Sequence, residues 1–207
     1  MSAATNPIGK RLRTGAVLAL LAALGACVSV PPPRLVLLSN NVAVPAATGA
    51  ARPLLVVRTV VLPEYLDRRA VIYRSSDAEL KRFDGVIWAE RPGQSVSRWV
   101  ALQLAADLPD YEVEAFTVDG DKSPGLMLNI DLQSFEPDAT AGPVATLRLR
   151  GNWHLSGTAT GDGSLAADVP MNTLDAPATV TAMRSALTVT VDGVAARIHQ
   201  LPLPAKK

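Results

Sequence analysis

Hydrophobic positions in this chain follow two different periods, and the change from one to the other divides it into elements. From about Gln94 to Leu108, the residues Val96, Trp99, Val100, Leu104 and Leu108 recur at three- and four-residue spacing. That spacing gathers them on one stripe of a helix, which Pro109 ends. A second stripe, Val180, Met183, Leu187, Val191, Val194 and Ile198, follows Asp175-Ala176-Pro177. Aspartate there suits an N-cap, and proline suits the first turn, where its missing N–H costs nothing. Leu187 to Val191 also alternates with threonine, and Asp192-Gly193 has the composition of a turn, so two strands compete with a helix in this stretch. The unbroken stripe favours the helix.

Elsewhere the period is two. Leu126, Leu128, Ile130 and Leu132 alternate with Met127, Asn129, Asp131 and Gln133; Leu147, Leu149, Trp153 and Leu155 alternate with Arg148, Arg150, Asn152 and His154. Each segment predicts a strand with one face on a core and one in water, and the two read as antiparallel neighbours. Their polar faces suggest a pairing of Asp131 with Arg148 or Arg150. Leu54 to Leu62 is almost continuously apolar and predicts a strand buried on both faces. Ala70 to Arg74, Tyr111 to Val118 and Leu165 to Met171 are further strands. The chain is expected to turn around Trp88 and again at Gly161-Asp162-Gly163. The elements predict one α/β (α+β) domain: a mixed, largely antiparallel sheet of about six strands with two main helices packed on one face.

The amino terminus has a different pattern. Lys10, Arg11 and Arg13 precede an apolar run from Ala16 to Leu24, then Gly25, Ala26 and Cys27, the only cysteine. The run is shorter than the roughly 20 residues that a membrane-spanning helix needs. A basic start, a short apolar core and small residues at a cut site make a secretory signal over residues 1–26. The ending Leu24-Gly25-Ala26-Cys27 resembles the lipobox of bacterial lipoproteins, which implies that Cys27 carries the lipid. The basic pair is split by Leu12, so twin-arginine export is not indicated. Residues 27–52, with four prolines and many alanines, read as a tether of up to about 75 Å if fully extended. Within it, Leu35 to Leu38 has the character of an edge strand. The domain proper is expected over 53–207.

Charge and chemistry narrow the function. Taking the three basic residues of the signal from the 20 in the chain leaves 17 against 19 acidic ones. A chain with no basic excess is poorly suited to nucleic acid. Acylation of Cys27 would leave no thiol for a disulfide, a zinc site or a nucleophile. His154 lies on a strand's polar face and His199 near a helix C-terminus, and neither has metal-ligand spacing with another candidate. Gly-x-Ser-x-Gly, phosphate-loop and His-Glu-x-x-His patterns are absent. No enzyme, cofactor or metal is expected.

Leu62-Pro63-Glu64-Tyr65-Leu66-Asp67-Arg68, then Ala70-Val71-Ile72-Tyr73-Arg74, then Trp88-Ala89-Glu90, resembles the ABC-type transport auxiliary lipoproteins, the paraquat-inducible protein C family. The likeness is specific over about Leu54 to Leu108 and rests on the order of elements beyond. Arg91-Pro92-Gly93-Gln94 stands where the family usually has Leu-Ser. The resemblance implies a non-catalytic lipoprotein working beside an MCE-domain protein and ABC transporter components, in lipid movement between the inner and outer membranes. Val28 and Ser29 lack the aspartate associated with inner-membrane retention, which points to the periplasmic face of the outer membrane. Tyr65, Arg68, Tyr73, Arg74 and Trp88 are the residue types that interfaces favour, and they are the candidates for docking or for homo-oligomer formation. A purely structural role for them stands beside that reading. A free-standing assembly lipoprotein and a carrier of small hydrophobic ligands are the rival functions.

Overall fold

The structure is a computed structural model, and it describes residues 31–39, 43, 52–116, 125–142 and 144–201. The chain divides into two units, Met1–Pro32 and Pro33–Lys207, and the second holds the sheet and helices. The signal and Cys27 lie outside the described residues, as does most of the expected tether.

Eight strands form one mixed sheet: β1 (Arg34–Val36), β2 (Leu54–Val57), β3 (Ala70–Ser76), β4 (Glu79–Trp88), β5 (Glu112–Ala115), β6 (Leu126–Asp138), β7 (Thr146–Gly157) and β8 (Gly161–Pro170). Two helices, α1 (Pro92–Asp107) and α2 (Ala176–His199), complete it. β6 is the spine. Along one edge it pairs with β7 in antiparallel register, and β8 follows β7. Its other edge is shared: β2 runs parallel to its first residues, and β3 meets its end through Arg74 opposite Asp138. β5 lies parallel outside β2, while β4 and then β1 lie outside β3.

β2 lies between β5 and β6 and is buried at all four positions, in keeping with its unbroken Leu-Leu-Val-Val. In β6 and β7 the expected alternation holds, with Leu128, Leu132, Leu147, Leu149 and Leu155 buried in the core. The α1 stripe of Val96, Trp99, Val100 and Leu104 is buried in the same core, over β2 and β5, as are Val180, Met183, Leu187, Val191, Val194 and Ile198 of α2. α2 runs unbroken through the ambiguous stretch, so Asp192-Gly193 is helical. Asp175 caps it, with Oδ1 accepting from the Ala178 N–H at 2.8 Å. The Thr190 hydroxyl bonds back to the Ala186 carbonyl at 2.9 Å, which lets a threonine sit buried in the helix.

Three expectations need correction. The region before Trp88 is a ten-residue strand, β4, and not merely a turn; most of it is exposed, so its sequence has no apolar period to read. Gly161-Asp162-Gly163 opens β8 instead of forming the turn. Asp131 stands opposite Asn152, and Arg148 and Arg150 pair with Asp138 and Asp168 instead. Beyond Leu132 a bulge slips the register by one residue, which sets Arg150 opposite Ser134 and Arg148 opposite Glu136.

Candidate partner-docking surface

That bulge decides which side chains reach the sheet face away from the helices. Before it, even-numbered residues of β6 point into the core; after it, Phe135 points in and Glu136 and Asp138 point out. Glu136 is nevertheless buried, because β3 and the loop before it close over the carboxylate. Arg74 Nη2 donates to Glu136 Oε1 at 2.9 Å and the Tyr65 hydroxyl donates to the same oxygen at 3.3 Å. Glu136 Oε2 accepts from the Phe135 N–H at 2.8 Å. Burial pushes the Tyr65 phenol above its ordinary pKa, and the neighbouring carboxylate adds to the shift. The hydrogen bond to Glu136 likewise holds the Arg74 guanidinium protonated.

Next along β6, Asp138 is 6% exposed and pairs with Arg148 at 3.0 Å, while the Thr140 hydroxyl and N–H donate to its other oxygen. Burial opposes ionisation of Asp138. The Thr140 hydrogen bonds and the Arg148 charge outweigh it and hold the carboxyl below the usual range. Arg150 reaches Asp168 on β8 at 2.6 Å. The result is a polar depression of about 300 Å³ in which each of these arginines is matched by a carboxylate.

The loop 63–69 folds as a turn on Pro63, whose carbonyl accepts from the N–H groups of Leu66 and Asp67. Asp67 turns away from solvent to α1. Arg68 stays exposed and pairs with Glu64 at 2.8 Å. Tyr73 lies against Phe83 with ring centroids 5.0 Å apart. Trp88 is 4% exposed and belongs to the core. Of the five interface candidates, the structure therefore joins Tyr65 and Arg74 through Glu136 and leaves Arg68 exposed, paired only with Glu64 of its own loop. It places Tyr73 in a ring contact and removes Trp88 from the surface. Sequence reasoning missed Glu136 and Asp138, whose outward placement depends on a bulge with no local signature.

Toward the start of β6, the same sheet face forms an open groove of about 910 Å³ between Arg58, Phe116, Asp131, Asn152 and His154. The Arg58 guanidinium lies over the Phe116 ring at 5.3 Å, and His154 Nδ1 is 2.5 Å from Asp162 Oδ1. Trp153 lies across Gly161 and Gly163, where a Cβ at Gly163 would fall 2.4 Å from the indole nitrogen. His199 contacts the Asp107 carbonyl at 3.0 Å, at the far end of α1. Among the described residues no group of three or more His, Cys, Asp or Glu is placed to hold a metal ion. The apolar pocket beneath loop 63–71, walled by Leu66, Val71, Trp88, Phe135 and Met183, has a volume of only about 10 Å³.

An open, charge-matched sheet face backed by two helices describes a two-layer α/β domain. The profile of the family described as ABC-type transport auxiliary lipoprotein component matches residues 36–195, and the chain belongs to that family. It is a family of membrane-anchored lipoproteins associated with ABC-type transport. No curated protein matches the sequence. In fold the chain is similar to a crystal structure of an uncharacterised protein, at 17% identity and TM-score 0.64, covering 81% of this chain and 99% of that one. It is also similar to a Xanthomonas campestris protein, at 18% identity and TM-score 0.61, covering 81% and 92%.

Proposed function

We propose that the protein is a non-catalytic lipoprotein, anchored through Cys27 at the periplasmic face of the outer membrane. It serves an MCE-domain protein and an ABC transporter that move lipids between the two membranes. The observation that carries this reading is the family match over residues 36–195, which runs from the last residue of β1 into the final turns of α2. The lipobox-like Leu24-Gly25-Ala26-Cys27 supports the anchor, with residues 1–26 removed as the signal. The matched arginines and carboxylates support a binding role, because charge pairs of this kind orient a partner more than they perform chemistry. Arg68 and the exposed part of Tyr65 form the rim at which a partner docks.

The carrier alternative finds no acyl-sized cavity beneath loop 63–71, so a ligand would have to bind in the open groove of about 910 Å³ on the sheet face. A pocket of about 10 Å³ is at the lower limit for one water and cannot take an acyl chain. Purification of the tagged full chain from solubilised membranes, with partners identified by mass, tests the proposal. An MCE-domain protein and transporter subunits are expected to co-purify. Recovery of the acylated chain alone would favour a free-standing assembly lipoprotein. Cys27→Ser is expected to abolish acylation, and membrane fractionation with intact mass reads the result.

A further inference from the structure

Leu35 in β1 and Leu37 just past its end are 63% and 46% exposed, although their neighbours Trp88 and Leu38 are only 4% and 5% exposed. The alternation of β1 explains this: Val36 and Leu38 turn to the core, and the two leucines turn away. Leu35 stands in register with Ile87, so the outward strip continues onto β4. Arg69, also exposed, adjoins it, since its carbonyl accepts from the Trp88 N–H at 2.7 Å.

Only seven residue steps separate Cys27 from Arg34, the first residue of β1. At no more than about 3.3–3.6 Å per residue, that leash reaches roughly 25 Å. A domain of about 170 residues is roughly 40 Å across, from the usual scaling of the radius of gyration. The leash is thus shorter than the body it holds. If Cys27 carries the lipid, as proposed above, β1 cannot be turned to the far side of the domain.

We propose that the β1 edge is the surface on which the domain rests against the lipid bilayer, with Leu35 and Leu37 at the boundary of headgroups and acyl chains and Arg69 beside anionic headgroups. The leash keeps β1 near the membrane, and among the orientations it permits the outward apolar strip selects the one with β8 held away. Five strand spacings of about 4.8 Å put β8 roughly 24 Å from β1 across the sheet.

The test uses the full acylated chain in vesicles of phosphatidylethanolamine and phosphatidylglycerol containing a spin-labelled lipid quencher. Leu35→Cys and Leu37→Cys carry a polarity-sensitive thiol fluorophore, and Ala166→Cys on β8 is the control. Labels at 35 and 37 are expected to shift to the blue and to be quenched several-fold more than the label at 166. Leu35→Asp combined with the label at 37 is expected to lose most of that quenching while the protein still floats with the vesicles. Equal quenching at all three sites, or none at 35 and 37 on floated protein, would overturn the orientation and leave the anchor intact. Wild-type protein that takes the thiol label and does not float would overturn the anchor, and the orientation with it.

Discussion

The Asp67 carboxylate accepts a hydrogen bond from the Gly93 N–H at 3.0 Å, so a residue 26 positions earlier caps helix α1. The local N-cap residue is Arg91, whose side chain makes no capping bond. Arg91 instead pairs with Asp67 at 3.3 Å, which fixes the carboxylate over the helix start. Ser97, one turn on, donates to the Gly93 carbonyl at 2.6 Å and accepts from the Val60 N–H at 2.8 Å. The Pro-x-Tyr-Leu-Asp-Arg loop, α1 and the segment at Val60 before the loop are therefore joined at one point.

Asp67→Ala is expected to cost about 1–2 kcal/mol, the range for loss of a helix cap. Asp67→Asn, which keeps an acceptor but not the ion pair, is expected to cost less. Urea unfolding of the two variants, compared at equal slope, reads the difference. Equal losses would mean that the Arg91 pair, and not the cap, carries the stabilisation.

Arg74 is expected to be structural. Arg74→Ala strands a carboxylate that is 2% exposed, and because the arginine itself is partly in water the cost should fall to about 2–3 kcal/mol, below that of a fully buried pair. Arg68→Ala, at an exposed pair, should change stability by less than about 0.5 kcal/mol. Thermal melts separate the two, and partner pull-down with Arg68→Ala then reads docking without a folding effect.

Packing offers a third measurement. Trp99, 3% exposed in the α1 stripe, is expected to cost about 3–5 kcal/mol on Trp99→Ala. Gly163→Ala places a methyl against the Trp153 indole and is expected to cost about 1–3 kcal/mol by overpacking. A neutral Gly163→Ala would show that Trp153 can move off β8.

Stability is expected to fall in acid. Asp138 and Asp175 have pKa values lowered in the fold: hydrogen bonds from Thr140 and the Arg148 charge overcome burial at Asp138, and the Ala178 N–H leads at Asp175. A depressed carboxyl contributes stability above its unfolded pKa and loses it as pH drops through the folded value, so the loss should begin below about pH 4. Asp192 acts oppositely, since burial and the nearby Asp107 raise its pKa. Its penalty is present at neutral pH, and Asp192→Asn should bring a small gain there that disappears in acid. A pH series of urea midpoints for Asp138→Asn and Asp192→Asn checks both signs.

What the sequence alone determined are the elements whose apolar period is unbroken. The stripes of α1 and α2 and the alternation of β6 and β7 follow from local backbone geometry, and a period of 3.6 or 2 survives whatever the strands pair with. The family likeness was legible for the same reason, in a contiguous run from Leu62 to Glu90. Tertiary structure alone decided which positions of that run are surface. Trp88 is buried because β1 and β3 flank β4, while Glu136 faces outward because one bulge inverts the parity of β6. Asp131 faces Asn152 because the pairing register of β6 with β7, and not the alternation within either strand, sets its partner. Burial at a sheet position and the partner of a charge depend on residues tens of positions away, and no local pattern records them.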